Sequence, residues 1–204
     1  MPIPPVESLL DYEQGLWRLG FKYIAGIDEA GRGPLAGPVV SACVIFPPDC
    51  LIEGVYDSKA LTPSQRMELY WKIIDRCICY SIFEVDNQTI DRVNILEATK
   101  LSMIGALEGL KTNPDFVIID AVNLPIQYPS RSIIQGDKKS FTIAAASILA
   151  KVYRDNLMNK LHEEFPNYHW NKNKGYGTIE HRKAILKHGF SPYHRKSFTV
   201  RLPA

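Results

Sequence analysis

One stretch constrains the fold of this chain more than any other: residues 24–40, IAGIDEAGRGPLAGPVV. It opens on Tyr23, Ile24 and Ile27, a short β-favouring apolar run, and closes on Val39 and Val40, which lead into a second run from Ala42 to Phe46. Two strands therefore flank a glycine-rich break. At that break two carboxylates, Asp28 and Glu29, stand side by side ahead of Gly31, Arg32 and Gly33. Successive side chains on a strand point to opposite faces, so the two acids are expected to serve one site only if the strand ends between them. Gly31 and Gly33 lack a Cβ and let another backbone or a ligand come close to main-chain groups. A dinucleotide or phosphate loop is excluded, because Pro34 and a strand follow where a helix N-terminus is required, and no GxxxxGK[ST] occurs.

Beyond this stretch the elements alternate. Pro4 and Pro5 form an extended lead, and Leu9, Leu10, Tyr12, Leu16 and Trp17 line a short amphipathic helix stopped near Gly20. Strands are expected at about 22–28 and 38–46, followed by a long turn-rich loop, Pro47–Leu61. Thr62-Pro63-Ser64-Gln65 has the form of a capping box with proline at the first helical position, opening a helix to about Arg76. Cys77–Val85 reads as a strand. Ile95, Ala98, Thr99, Ser102, Met103, Ala106, Leu107 and Leu110 recur with helical spacing. Short strands follow at 116–120 and 132–135, then a helix from about Phe141 to Glu164 and another at about 178–188. Such alternation implies an α/β layer structure around a mixed sheet. Asp28, Asp120 and Asp137 each stand at the end of an apolar strand, where sites gather in open α/β sheets.

The 204 residues, 46% hydrophobic, suit one globular domain. It is expected to divide into a lead with a short helix (1–21), a main body (22–165) and a basic segment (166–204). No apolar run approaches a membrane span and no signal-peptide pattern opens the chain, so a cytoplasmic protein and a monomer are expected. Cys43, Cys50, Cys77 and Cys79 lack metal-type CxxC spacing and read as reduced structural thiols, Cys77 and Cys79 within one strand. The formal net charge of +2 conceals an asymmetry: Lys172, Lys174, Arg182, Lys183, Lys187, Arg195, Lys196 and Arg201 face one acid, Glu180, after residue 170, leaving the remainder net acidic. A basic segment interleaved with Tyr168, Trp170, Tyr176, Phe190, Tyr193 and Phe198 suits nucleic acid as well as it suits a solvated surface. The five histidines form no HExxH motif, since position 166 is Pro, and are expected at the surface or at helix caps.

The stretch IDEAGRGPLAGPVV closely resembles the signature of ribonuclease HII, the type 2 ribonuclease H. The resemblance continues through DSKAL (57–61), NILEATKLSM (94–103), VIID (117–120), GDKKS (136–140), AAASILAKVYRD (144–155) and KGYGT (174–178), and so covers most of the chain. It implies a ribonuclease H-like fold, a central mixed five-stranded sheet flanked by helices, as the catalytic domain (22–165), with a small basic helical segment at the C-terminal end (166–204) that binds substrate. It also implies four catalytic, metal-holding acids, Asp28, Glu29, Asp120 and Asp137, that bind Mn²⁺ or Mg²⁺, hard ions that take oxygen ligands. In that reading Gly31, Arg32 and Gly33 meet the ribose 2′-hydroxyl through their backbone, and Tyr176 packs on the next sugar at an RNA–DNA junction. Gly175 and Gly177 let that aromatic sit on a mobile, exposed loop. Ser58, Lys59, Ser147 and Lys151 read as phosphate-backbone contacts.

The implied partner is an RNA–DNA hybrid, or a DNA duplex with embedded ribonucleotides, and not a membrane. Three departures from the family pattern, Ala60, Gln135 and Ala121-Val122, remove charge or flexibility near the substrate and bear on affinity and rate. The alternatives are another ribonuclease H-like nuclease, such as ribonuclease HIII or a junction resolvase, and a non-catalytic nucleic-acid binding protein. Ribonuclease HIII calls for an extra N-terminal domain, for which the 23 residues before the first strand leave no room, and a non-catalytic binder is expected to lose an acid.

Overall fold

The computed structural model describes residues 5–48 and 50–200; Pro4 of the expected lead and Arg201 of the basic segment lie outside them. A 3₁₀ turn, Val6–Leu9, precedes helix α1, Asp11–Arg18, so the expected first helix is split at Leu10. Strands β1, Ile24–Ala30, and β2, Val39–Ile45, follow. Helix α2, Pro63–Arg76, starts on the expected capping box: the Thr62 side chain accepts from the Gln65 amide, and the Gln65 side chain accepts from the Thr62 amide. Strand β3, Cys79–Val85, begins two residues later than expected, because the Cys77 amide still bonds Ile73 and closes α2. Cys77 and Cys79 therefore do not share a strand, and all four cysteines are free.

Helix α3, Asn87–Val93, is an element the sequence reading missed; its signal is Asp86, whose side chain caps the Thr89 amide. Asn94, at φ 71, ends α3 and caps helix α4, Ile95–Glu108, through the amides of Leu96 and Glu97. Strands β4, Phe116–Asp120, and β5, Ser130–Ile133, come next. The strand expected at 132–135 lies earlier because Gln135 takes a left-handed conformation (φ 57) that no strand accommodates. Helix α5, Phe141–Glu164, has the expected bounds, and the single turn α6, Trp170–Asn173, precedes α7, Ile179–His188. Among the described residues no helix is long and apolar enough to cross a membrane.

The five strands form one sheet in the order β3-β2-β1-β4-β5. Strand β1 runs antiparallel to β2 and parallel to β4, and β5 is parallel to β4, which makes the sheet mixed, as expected. Alternation sorts its side chains into two layers. Ala42 and Val44 pack with Phe141, Ala145 and Leu149 of α5, and with Leu69 and Ile73 of α2 behind it. Ala25, Ile27, Cys43 and Ile45 pack on Met103, Ala106 and Leu107 of α4. Gly26 faces α5 so closely that a Cβ there would lie 2.6 Å from the Thr142 carbonyl carbon and 2.8 Å from the Ile143 nitrogen. Both are backbone atoms and cannot rotate away. Gly26→Ala is therefore expected to push α5 off the sheet and lower stability by about 1–3 kcal/mol. A urea titration should show a lower midpoint, and an unchanged midpoint would mean that α5 is not seated on the β1 backbone.

Candidate active site

The layer rule places the acids. Asp28 falls on the same face of β1 as Gly26, toward α5, and Asp120 falls on the same face of β4 as Ile118, which packs on Ile143 of α5. The last β1–β4 pair is Ile27 with Ile119, so Asp28 and Asp120 come next in register and stand side by side. Glu29 belongs to the opposite face. Contrary to expectation, β1 does not end between the two acids: Asp28 and Glu29 still pair with Ala42 and Ser41 of β2. What ends is β4, at Asp120, which opens that edge of β1 to the longer glutamate side chain. One carboxylate oxygen each from Asp28, Glu29 and Asp120 then lies within 4.8 Å of the others.

These groups are held in place. Asp28 Oδ1 accepts from the Glu29 amide at 2.6 Å, and Asp120 Oδ1 accepts from the Gly136 amide at 2.6 Å. Glu29 Oε1 lies 3.4 Å from Arg32 Nη1, while its Oε2 is buried with no hydrogen-bond partner. Burial, with the charges of Glu29 and Asp120 beside it, pushes the Asp28 carboxyl well above the usual carboxylate range. Burial raises Glu29 as well, against the pull of Arg32. Ala121, at φ 48, holds a left-handed conformation that an alanine adopts at a cost of roughly 1–2 kcal/mol. That conformation explains why glycine is the family residue there.

Asp137 lies on the 3₁₀ turn after β5, outside the 4.8 Å group yet close enough for its charge to act on Asp28. It is 5% exposed, and its carboxyl is raised by burial and by Asp57, a buried acid the sequence reading did not single out. Lys59 Nζ stands 3.6 Å from Asp137 on a side chain 80% exposed. Burial works against its charge, but Asp137, Asp57, Asp28 and Asp120 together raise it. Ser58 and Ser147 are buried and bonded to each other at 2.8 Å, which ties the 57–59 turn to α5 and leaves Lys59 as its exposed member. Lys151 is half-buried and paired with Asp155 at 2.6 Å.

The loop after β1 is organised by two side chains to which the sequence reading assigned no role of their own. Arg154, on α5, donates to the carbonyls of Pro38, Ala36 and Lys174. Arg195 donates to the carbonyls of Gly31, Arg32, Gly37 and Pro38. Burial lowers them to about 10 and about 9, so both stay cationic at neutral pH. Gly31, at φ 98, is required by this packing, since a Cβ would lie 2.1 Å from Arg154 Nε and 2.8 Å from the Pro38 carbonyl. In a trans peptide the N–H points away from its carbonyl. With the Gly31 and Arg32 carbonyls turned inward to Arg195, the amides of Arg32 and Gly33 face the other way.

The same knot fixes the 174–178 segment. The Leu35 amide donates to Gly175 O and the Arg195 amide to Leu35 O, both at 2.8 Å. Gly175 takes φ 85 with its α-carbon against the Ala36 carbonyl, 2.5 Å from where a Cβ would sit. Gly175 thus serves close packing against Ala36 as well as the exposure of its neighbour Tyr176. Tyr176 is 45% exposed, and a Cβ on Gly33 would touch its ring at 3.7 Å, so the two expected sugar contacts are neighbours. Beside Tyr176 runs a groove of about 650 Å³ whose lining includes Arg66, Lys151, Lys172 and Lys174.

Part of the basic segment departs from expectation, while Lys172, Lys183, Lys187, Phe190 and Lys196 are exposed. Arg195 is buried, and Tyr168 and Trp170 stack at 5.1 Å in the core, so these aromatics are not stacking platforms. His181 and His194, expected at the surface or at caps, are 0% exposed. Composition cannot separate a basic segment that meets a polyanion from one whose cation is spent on backbone carbonyls.

The ribonuclease HII family model matches residues 25–201. Ribonuclease HII of Desulfitobacterium hafniense strain DSM 10664 / DCB-2 is 53% identical over 194 residues, 95% of this chain and 75% of its own length. The crystal structure of ribonuclease H2 from Pyrococcus horikoshii OT3 is similar at TM-score 0.75 and 28% identity, covering 87% of this chain and 94% of that one. Bst ribonuclease HIII in complex with Mn²⁺ is similar at TM-score 0.66 over 87% of this chain and 67% of its own, with 17% identity, a likeness of fold alone. The chain belongs to the ribonuclease HII family and is a metal-dependent ribonuclease H.

Proposed function

We propose that this enzyme hydrolyses the RNA strand of RNA–DNA hybrids and cuts on the 5′ side of ribonucleotides embedded in duplex DNA, leaving 3′-hydroxyl and 5′-phosphate ends. The observation that carries this reading is the three-carboxylate cluster two residues from a backbone loop whose carbonyls are held inward and whose amides face outward. The donor set suits a hard divalent cation: it is all oxygen, and one buried acceptor, Glu29 Oε2, has no partner. Asp28, Glu29 and Asp120, with Asp137 beside them, would hold Mg²⁺ or Mn²⁺, which supply water activation, charge relief on the phosphate and stabilisation of the leaving 3′-oxygen.

The chain's own groups do the recognition. The outward amides of Arg32 and Gly33 donate to the 2′-hydroxyl, the local group that separates ribose from deoxyribose. Tyr176 lies against the following sugar. Lys59, exposed and ringed by acids, meets the scissile phosphate, and the groove lined by Arg66, Lys151, Lys172 and Lys174 takes the backbone of the other strand.

A duplex with one embedded ribonucleotide, incubated with and without Mn²⁺, tests the reading: a single nick 5′ to the ribonucleotide is expected only with the cation. Asp120→Asn should abolish nicking while leaving duplex binding intact, and a folded variant with near-normal turnover would contradict the assignment.

The acids also set a pH dependence. Asp28 and Glu29 titrate above their unfolded values, so the stability they contribute is present below the usual carboxylate range and is lost as pH rises through the raised values. In chelator the melting temperature should therefore fall from about pH 4 upward relative to an Asp28→Asn variant, and Mg²⁺ or Mn²⁺ should close that gap. Parallel curves for the two proteins would mean the carboxylates do not repel one another.

Tyr176→Ala should slow cleavage at a single embedded ribonucleotide by the equivalent of roughly 1–3 kcal/mol, with Tyr176→Phe milder. On a continuous hybrid the next sugar is itself ribose, and the loss should be smaller. Equal losses on both substrates would assign Tyr176 to folding or general phosphate positioning.

A further inference from the structure

Beneath the Tyr176 loop lie two imidazoles that the proposed chemistry does not use, His181 and His194, with Trp170 beside them, all 0% exposed. Their nitrogens are joined. Trp170 Nε1 donates to His181 Nε2 at 3.0 Å, and His181 Nε2 lies 3.1 Å from His194 Nε2. A neutral imidazole has one N–H and one accepting nitrogen, so the partners decide where each proton sits. The Ser191 amide donates to His194 Nδ1 at 2.9 Å, which makes Nδ1 the acceptor and puts the His194 proton on Nε2. That proton points at His181 Nε2, whose single lone pair it shares with the Trp170 N–H, so this nitrogen carries no proton of its own. His181 is therefore protonated on Nδ1, which faces the Tyr176 carbonyl at 2.9 Å. The bonds run in one direction, from Ser191 through His194 and His181 to Tyr176.

We infer that His181 and His194 form a positioning relay that fixes the Tyr176 peptide, and with it the ring, against the Gly31–Gly33 loop and so sets the preference for RNA–DNA junctions. The inference rests on the proposed role of Tyr176. Two features support it. The Tyr176 carbonyl has a second donor, the Thr178 amide at 2.8 Å, so its orientation is held from two sides. The His194 end is anchored in the knot that holds the reading loop, through its bridge with Ala36 and the bond from Arg195 N to Leu35 O. Burial keeps both imidazoles below their ordinary range, His194 at about 4, so the neutral pattern persists at neutral pH. A buried core histidine needs a partner, and the partner His181 takes is the backbone carbonyl of Tyr176, the exposed tyrosine whose ring lies beside Gly33.

The test uses His181→Leu, which removes the donor to Tyr176, and His181→Asn, whose amide keeps a donor near the Nδ1 position, with His194→Gln as a second variant that keeps an N–H toward His181. Two quantities are read in folded protein: amide hydrogen exchange of Tyr176 and Thr178, and the ratio of kcat/KM on a single embedded ribonucleotide to that on a continuous hybrid. His181→Leu should accelerate exchange at both amides and lower the ratio on the order of tenfold, with little further loss when combined with Tyr176→Ala. His181→Asn and His194→Gln should restore part of both. Unchanged exchange in His181→Leu, or equal losses on the two substrates, would overturn the relay. If Tyr176→Ala itself left the ratio unchanged, the sugar-reading role would fail and the junction claim with it, while the exchange data would still decide whether the relay holds the loop.

Discussion

Two buried guanidinium groups bonded to backbone carbonyls organise this molecule. Arg154 and Arg195 reach from α5 and from the C-terminal segment into the loop between β1 and β2 and occupy its carbonyl oxygens. Taking a guanidinium out of water is costly, and an array of carbonyl acceptors in fixed positions is what makes it tolerable. The loop gains direction from this. Where Arg195 draws the Gly31 and Arg32 carbonyls inward, the amide of the same peptide turns outward, so an interior cation prepares a pair of outward donors. The arrangement also joins segments distant in the chain, because Arg154 holds Lys174 by the same guanidinium that holds Ala36.

Electrostatics at the strand ends works in the opposite sense. Asp28, Glu29 and Asp120 are brought together by register and burial; burial, Glu29 and Asp120 disfavour charge on Asp28, and burial and Asp120 disfavour it on Glu29. A cluster of this kind is unstable as a set of anions and becomes favourable when a cation arrives, which is a binding site expressed as frustration in the cation-free fold. The positive counterparts stand around it and not within it: Arg32 beside Glu29, and Lys59 beside Asp137. That leaves the interior of the cluster to the ion and its outer rim to phosphate.

The acids and the glycine loop were legible in the sequence because each is a local signal: a carboxylate at the end of an apolar strand, and glycines where the chain must turn. The sheet was legible for the same reason. Its register was not, and without register the approach of Glu29 from the opposite face of β1 could not be seen; the expected strand break between Asp28 and Glu29 stood in for it. The roles of Arg154 and Arg195 were illegible because a buried arginine and a solvated one look alike, one inside a motif stretch and the other in a charge count, and the carbonyls that receive them carry no side-chain signature. His181 and His194 were hidden likewise, since their meaning lies in hydrogen bonds across 13 positions of chain. Gly175 was noticed for its neighbour Tyr176, and the structure gives its reason as the Ala36 carbonyl pressed against it.

The central claim is that buried cations aim the amides of the reading loop, and it is tested most directly at Arg195. Arg195→Lys keeps a positive charge but cannot span four carbonyls in a fixed fork. The measurement is kcat/KM on a duplex with one ribonucleotide, set against the Kd for the same duplex made wholly of DNA. The account predicts that the rate falls on the order of a hundredfold, or about 3 kcal/mol, while all-DNA affinity stays unchanged. An unchanged rate in the folded variant, or rate and all-DNA affinity falling together, would contradict it.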